Sequence, residues 1–255
     1  KKITLIIHPG YGKSGTTFLQ ESIFSKLKKY EILGKPLNKS NSLIKKQYKV
    51  FLPKYNIDNI NYPLSPSGDL KKYCNELILV ITNSDKNYFL LSDECLFDGI
   101  NYFGFFNILL LEEIIKVLKK TFEIELKFIL TIRKQYEYLT SYFAMDYHRQ
   151  RKNFGTLENF ITKTLNEDNL SDTYDYNKNV EIIKKKFTSK ILILPLEELE
   201  DNPENYKKKL GEFLEEKVDS SISMINKNSI TENNKKYFYK IDQKRTLIYN
   251  FVIEI

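Results

Sequence analysis

The segment Ile3-Thr4-Leu5-Ile6-Ile7-His8-Pro9-Gly10-Tyr11-Gly12-Lys13-Ser14-Gly15-Thr16-Thr17-Phe18-Leu19-Gln20 constrains this chain more than any other. An apolar run leads into a turn with three glycines and one lysine, and a hydroxyl cluster then opens an amphipathic stretch. That order reads as a buried strand, a loop and a helix start. A helix N-terminus offers unpaired N–H groups and the positive end of the macrodipole. Glycines let a large anion approach the backbone, and Lys13 adds a full charge. The expected occupant is a phosphate or phosphate-like group, held by Gly10, Gly12, Lys13, Ser14, Gly15, Thr16 and Thr17.

Further strands and helices follow. Short apolar runs at Tyr88–Ser92, Leu126–Ile132 and Lys190–Leu194 read as strands, the last as a buried one, with a weaker candidate at Glu31–Gly34. Helical spacing is expected over Gly15–Tyr30, Leu70–Thr82, Phe106–Phe122, Tyr136–Gln150, Leu157–Leu165, Lys178–Phe187, Pro203–Leu214 and around Tyr237–Phe251. Strands alternating with amphipathic helices predict an α/β fold: one three-layer α/β/α domain over 1–255, with a central, mostly parallel sheet of P-loop NTPase-like kind. Residues 35–86, rich in Asn, Ser and Pro at their start, read as an acceptor-side insertion. Ligands of such sheets bind outside the carboxyl ends of the strands. That brings together the glycine loop, Ser92-Asp93-Glu94 and Arg133.

The formal charge of +7, from 40 basic and 33 acidic residues, suits an anionic ligand. It lacks the patterned basic motif that nucleic acid would need, and the runs Lys184–Lys186 and Lys207–Lys209 read as solvated helix faces. No stretch approaches about 20 apolar residues, so no transmembrane helix is expected. The opening Lys1-Lys2 and its short apolar run read as a core strand, not a signal peptide. Cys74 and Cys95 have neither metal spacing nor disulfide density, and read as buried thiols in a reducing, cytoplasmic setting.

A triphosphate-binding loop needs a glycine six residues before its lysine. Ile7 stands there. A small-molecule or nucleotide kinase using ATP and magnesium, with Asp93 on the metal, is therefore the weaker enzyme reading. A nucleotide-binding module without catalysis is the non-enzyme alternative. The second anchor is Arg133-Lys134-Gln135-Tyr136-Glu137-Tyr138-Leu139-Thr140-Ser141, directly after a strand. Together the two segments resemble sulfotransferases that use 3′-phosphoadenosine 5′-phosphosulfate (PAPS). The bacterial pattern Gly-x-Pro-Lys-[Ser/Thr]-Gly-Thr-Thr-x-Leu-Gln matches Gly10–Gln20 except at Gly12, where proline is usual. The family's arginine with a serine eight residues on matches Arg133 and Ser141. Asp175-Tyr176 before a helix and Pro195-Leu196-Glu197-Glu198-Leu199 after a strand extend the resemblance over about residues 3–215.

The resemblance implies that Arg133 and Ser141 hold the donor's 3′-phosphate, and that Lys13 and the hydroxyl-rich turn hold the 5′-phosphosulfate. PAPS is then the donor and 3′-phosphoadenosine 5′-phosphate (PAP) the product, with no metal. The acceptor it implies is a hydroxyl on a small molecule or a saccharide. Arginine suits bidentate contact with a phosphate. Sulfuryl transfer, like phosphoryl transfer, relies on positioning and charge stabilisation. Lys13 is the expected catalyst at the leaving group. Glu94 is the expected base, with Asp93 as its alternative. His8, just before the loop, is a further catalytic candidate against a packing role, and His148 has an acceptor-side role or a structural one. Asn226-Lys227-Asn228-Ser229 resembles a C-terminal segment that closes over the donor in some relatives, against the reading of an ordinary polar loop.

Overall fold

A computed structural model describes residues 1–11, 13–34, 68–93, 96, 104–145, 147–166, 175–187, 189–219, 230–232 and 235–237. Five strands form one parallel sheet: β1 (Lys2–His8), β2 (Glu31–Gly34), β3 (Tyr88–Ser92), β4 (Glu123–Ile132) and β5 (Lys190–Pro195). Their order is β2-β3-β1-β4-β5. The strand that feeds the glycine loop is thus central. His8 lies in register with Ser92, and Ile7 with Phe128, so β1, β3 and β4 end on one side of the sheet.

Side chains alternate along each strand and bury both faces of β1. Ile3, Leu5 and Ile7 join Phe89, Leu91, Phe128 and Leu130 in one apolar cluster. Helices α2 (Gly68–Asn83), α3 (Gly104–Lys119), α4 (Gln135–Met145), α6 (Leu157–Asn166) and α7 (Tyr176–Phe187) add side chains to it. Ile6, Leu90 and Ile129 alternate with these and are equally buried. Leu19, Phe24, Leu196, Leu199, Leu210 and Leu214 form the other buried set. They come from the segment after the loop, from α8 (Leu196–Asp201) and from α9 (Pro203–Leu214). The result is the three-layer α/β/α fold expected from the alternation of strands and helices. Residues 221–255 form a separate compact unit, of which a two-stranded antiparallel ribbon, β6 (Ile230–Glu232) and β7 (Lys235–Tyr237), is described.

Several elements differ from the sequence reading. The expected helix Gly15–Tyr30 is a short α-turn, α1 (Thr16–Phe18), widened into π geometry over Leu19–Ile23 and tightened into 3₁₀ geometry over Phe24–Lys26. It stops at Leu27 because tertiary partners take the next backbone groups. Lys28 and Lys29 N–H both donate to the Glu216 carboxylate, and Tyr30 Oη donates to Leu214 C=O. The long helix expected over Tyr136–Gln150 is two helices, α4 and α5 (Tyr147–Phe154). Strand β5 pairs only with β4 among the described residues, and Ile193 is 40% exposed. It is an edge strand, not a buried one. Of the expected insertion, residues 68–83 are a core helix that buries Cys74, Leu77 and Ile81. Tyr237 ends a strand; the rest of the helix expected there lies outside the described residues, as does Cys95. Lys207 is buried, with its ammonium 3.2 Å from Glu204, so that lysine run is only partly a solvated face.

Below the carboxyl end of the sheet, Lys127 is a buried cation on the α9 face of β4. Burial opposes its charge, but Glu215 at 2.9 Å and Glu125 at 3.5 Å outweigh that and hold the ammonium above its usual range. The same contact and Lys29 pull the Glu215 carboxyl down to about 2.

Candidate functional site

β1 delivers the chain into the loop through backbone that only part of the genetic alphabet tolerates. Gly10 has φ +36°, and a Cβ there would lie 2.6 Å from Thr16 Oγ1. Gly15 has φ +85°, and its missing Cβ leaves room for Leu196 of α8 at 2.8 Å. Between them Lys13 adopts φ +63°, a left-handed conformation that costs a non-glycine residue roughly 1 kcal/mol or more. Such strain is retained where it serves a purpose. Here it turns the chain so that the first N–H groups of α1, which have no intrahelical acceptor, follow directly on the lysine.

The loop rests on a buried chain of hydrogen bonds whose polarity can be worked out from its ends. Gln20 Nε2 can only donate, and it lies 3.0 Å from Ser92 Oγ. Tyr11 C=O can only accept, and it takes the Ser14 hydroxyl. Between them run Ser92 Oγ to His8 Nδ1 at 2.8 Å, His8 Nε2 to Thr131 Oγ1 at 3.3 Å and Thr131 Oγ1 to Ser14 Oγ at 2.9 Å. With Ser14 donating to Tyr11, Thr131 must donate to Ser14 and accept from His8 Nε2–H. His8 Nδ1 then accepts from Ser92. For a neutral ring the chain is satisfied in one sense only, with His8 protonated on Nε2. Burial agrees, because it pushes the His8 imidazole down to about 3.

This geometry places three of the expected site side chains inside the protein. His8 has no exposed surface, and both its ring nitrogens are engaged by hydroxyls. The Ser14 hydroxyl is fully buried in the same chain. Thr16 is buried too, its hydroxyl 3.2 Å from Tyr11 C=O and 3.5 Å from Thr131 Oγ1. Ser14 and Thr16 therefore shape the loop with their side chains, and the Ser14 N–H also donates to Tyr11 C=O at 3.3 Å, whereas Thr17 is exposed. Spacing could not reveal this: which hydroxyl turns inward depends on Thr131, a residue 115 positions from Thr16.

Arg133 follows the end of β4 with its side chain a quarter exposed. Its Nε lies 3.3 Å from Glu137 Oε2 and its Nη1 lies 3.4 Å from Lys13 C=O. Arg133 is therefore held against the backbone of the loop residue that carries the lysine side chain. Glu137 and Ser141 succeed Arg133 at four-residue intervals, which stacks them on one face of α4. Ser141 is half-buried. Glu197 of α8 accepts from Lys134 N–H at 2.8 Å and secures the turn after Arg133. Asp93 is buried, its N–H donating to His8 C=O. Gly12 and Glu94 lie outside the described residues, as does the segment Asn226–Ser229; nothing is described of the His148 side chain.

A family model described as a sulfotransferase domain matches residues 4–246. The chain belongs to the sulfotransferase family. Among solved structures, this sulfotransferase is similar to one from Alicyclobacillus acidocaldarius at 13% identity and a TM-score of 0.47, over 89% of this chain and 87% of that one. It is also similar to the sulfotransferase domain of the Synechococcus PCC 7002 olefin synthase at 12% identity and a TM-score of 0.44, over 86% of this chain and 74% of that one. No curated protein sequence matches it. No described helix of the sulfotransferase is long and apolar enough to cross a membrane.

Proposed function

We propose that this sulfotransferase takes its sulfuryl group from PAPS and passes it to an acceptor hydroxyl, on a saccharide. The observation that carries the donor assignment is the approach of Arg133 Nη1 to Lys13 C=O. A donor with a 3′-phosphate and a 5′-phosphosulfate on one ribose needs two anion-binding groups a ribose apart. Lys13 with the first N–H groups of α1, and Arg133 with Ser141, supply that pair. The chemistry of the residues present thus fits the group.

In this reading Lys13 neutralises the bridging oxygen as the sulfur–oxygen bond to the 5′-phosphate breaks, and PAP departs. The acceptor oxygen forms the new bond to sulfur in line. Glu94, next in the chain after Asp93 at the end of β3, takes the acceptor proton. His8 acts only through the loop it supports. Residues 1–255 serve one sulfotransferase function, and residues 35–86 contribute to recognition of the acceptor. Support for that segment's role is the register of Gly34 with Ser92 at the loop end of the sheet. The free thiol of Cys74, pushed up to about 11 by burial and then by Glu113, accords with a reducing, cytoplasmic setting.

The test is PAPS turnover across a panel of saccharide acceptors, with PAP and ATP binding measured in EDTA and in magnesium. PAP binding without metal, and turnover abolished by Lys13→Ala, are expected. Magnesium-dependent ATP binding with no affinity for PAP would overturn the donor assignment, and tight PAP binding with no turnover on any acceptor would favour a non-catalytic module.

A further inference from the structure

Helix α7 touches both anion-binding loops. Its first residue, Tyr176, donates its hydroxyl to Arg133 C=O at 2.7 Å. One turn later the buried Asn179 donates from Nδ2 to Tyr11 Oη at 2.8 Å. The Tyr11 ring meets Tyr176 edge-on at 4.9 Å and Tyr138 of α4 at 6.2 Å. Tyr11 is 1% exposed, and its carbonyl is the acceptor for the Ser14 and Thr16 hydroxyls. The start of α7 is itself fixed. Asp175 accepts from Lys178 N–H through its carboxylate and from Asn179 N–H through its carbonyl.

We propose that Tyr176 and Asn179 are positioning residues that set the separation of the two anion sites, and with it the fit to a ligand carrying a phosphate at each end of one ribose. The inference rests on the donor reading given above. Neither residue needs to touch the ligand. Tyr176 holds the backbone of the residue whose guanidinium reaches the 3′ side, and Asn179 holds the side chain that carries the 5′ loop. A two-ended ligand gains affinity over its halves only when both anchors stand at the spacing of the ligand. Misplacement by about 1 Å can cost about a hundredfold in a well-fitted site. Loosening the clamp should therefore cost the bisphosphate its advantage and leave the halves almost untouched.

Titration calorimetry on the full chain with PAP, 5′-AMP and 3′-AMP reads this directly. Wild type should bind PAP more tightly than either monophosphate. Tyr176→Phe keeps the ring against Tyr11 and removes only the hydroxyl. It should weaken PAP about tenfold while each monophosphate stays within about twofold. Asn179→Leu, acting on the other loop, should give the same pattern. Equal losses for all three ligands, or no loss for PAP in either variant, would overturn the clamp while leaving the donor reading in place. A wild type that binds PAP no better than the monophosphates would overturn the donor reading, and the clamp with it.

Discussion

Replacing His8 with leucine probes the hydrogen-bond chain beneath the loop. The two side chains are similar in bulk, so little cavity is left. What disappears is the pair of contacts to Ser92 Oγ and Thr131 Oγ1. Ser92 keeps Gln20, and Thr131 keeps Ser14 and, at 3.5 Å, Thr16. Each loss should then cost about 1–2 kcal/mol, or about 2–4 kcal/mol together at neutral pH. The pH dependence gives a second reading with a fixed sign. His8 sits at about 3 in the folded protein, against an ordinary value of 6.5. The folded value is depressed, so as pH falls the unfolded chain takes up that proton first. Stability present above about pH 6.5 is lost as pH falls toward 3, at about 1.4 kcal/mol per pH unit. The leucine variant has no such loss. From about pH 6.5 to about pH 5 its deficit should shrink by about 2 kcal/mol. Urea unfolding followed by far-ultraviolet circular dichroism at several pH values measures the gap. A gap that stays constant, or widens on acidification, would refute a neutral, buried imidazole.

Arg133→Ala should weaken PAP by about 2–3 kcal/mol, the scale for a lost charged hydrogen bond; an unchanged dissociation constant would remove Arg133 from the donor site. Gly10→Ala places a methyl 2.6 Å from Thr16 Oγ1 at a positive φ, and should lower both the thermal midpoint and PAP affinity, measured by calorimetry. Glu215→Gln tests the ion cluster on Lys127. The folded pKa of Glu215 is depressed to about 2, so its contribution is present above its ordinary 4.5 and is lost as pH falls through that window. Glu215 is 56% exposed, so solvent screening limits the effect to about 1 kcal/mol at neutral pH, and urea melts of the two proteins should converge near pH 2.

The sheet was legible because burial on both faces leaves continuous apolar runs, such as Leu126–Ile132, that need no partner to be recognised. Tyr88–Ser92 matches its strand to the residue for the same reason. Element ends were less legible. Leu27 leaves its helix because Glu216, far along the chain, takes the next two N–H groups. β5 reads as apolar as its neighbours, and only its place at the sheet edge exposes Ile193.

The glycine loop with its lysine was determined by sequence alone. A strand, a turn that needs glycine and a helix start are local events, and charge and backbone freedom are properties of single residues. The same holds for Arg133, just past a strand end, and for Ser141, one helical turn after Glu137 on α4. What each polar side chain in the loop does was decided only by the tertiary structure. Ser14 and Thr16 read as ligand contacts in the sequence, and His8 as either a catalytic or a packing residue. Parallel pairing brings Ser92 and Thr131 beside them and turns all three inward. A buried polar group must find a partner, and the partner is chosen by the packing of distant segments, which no local pattern records.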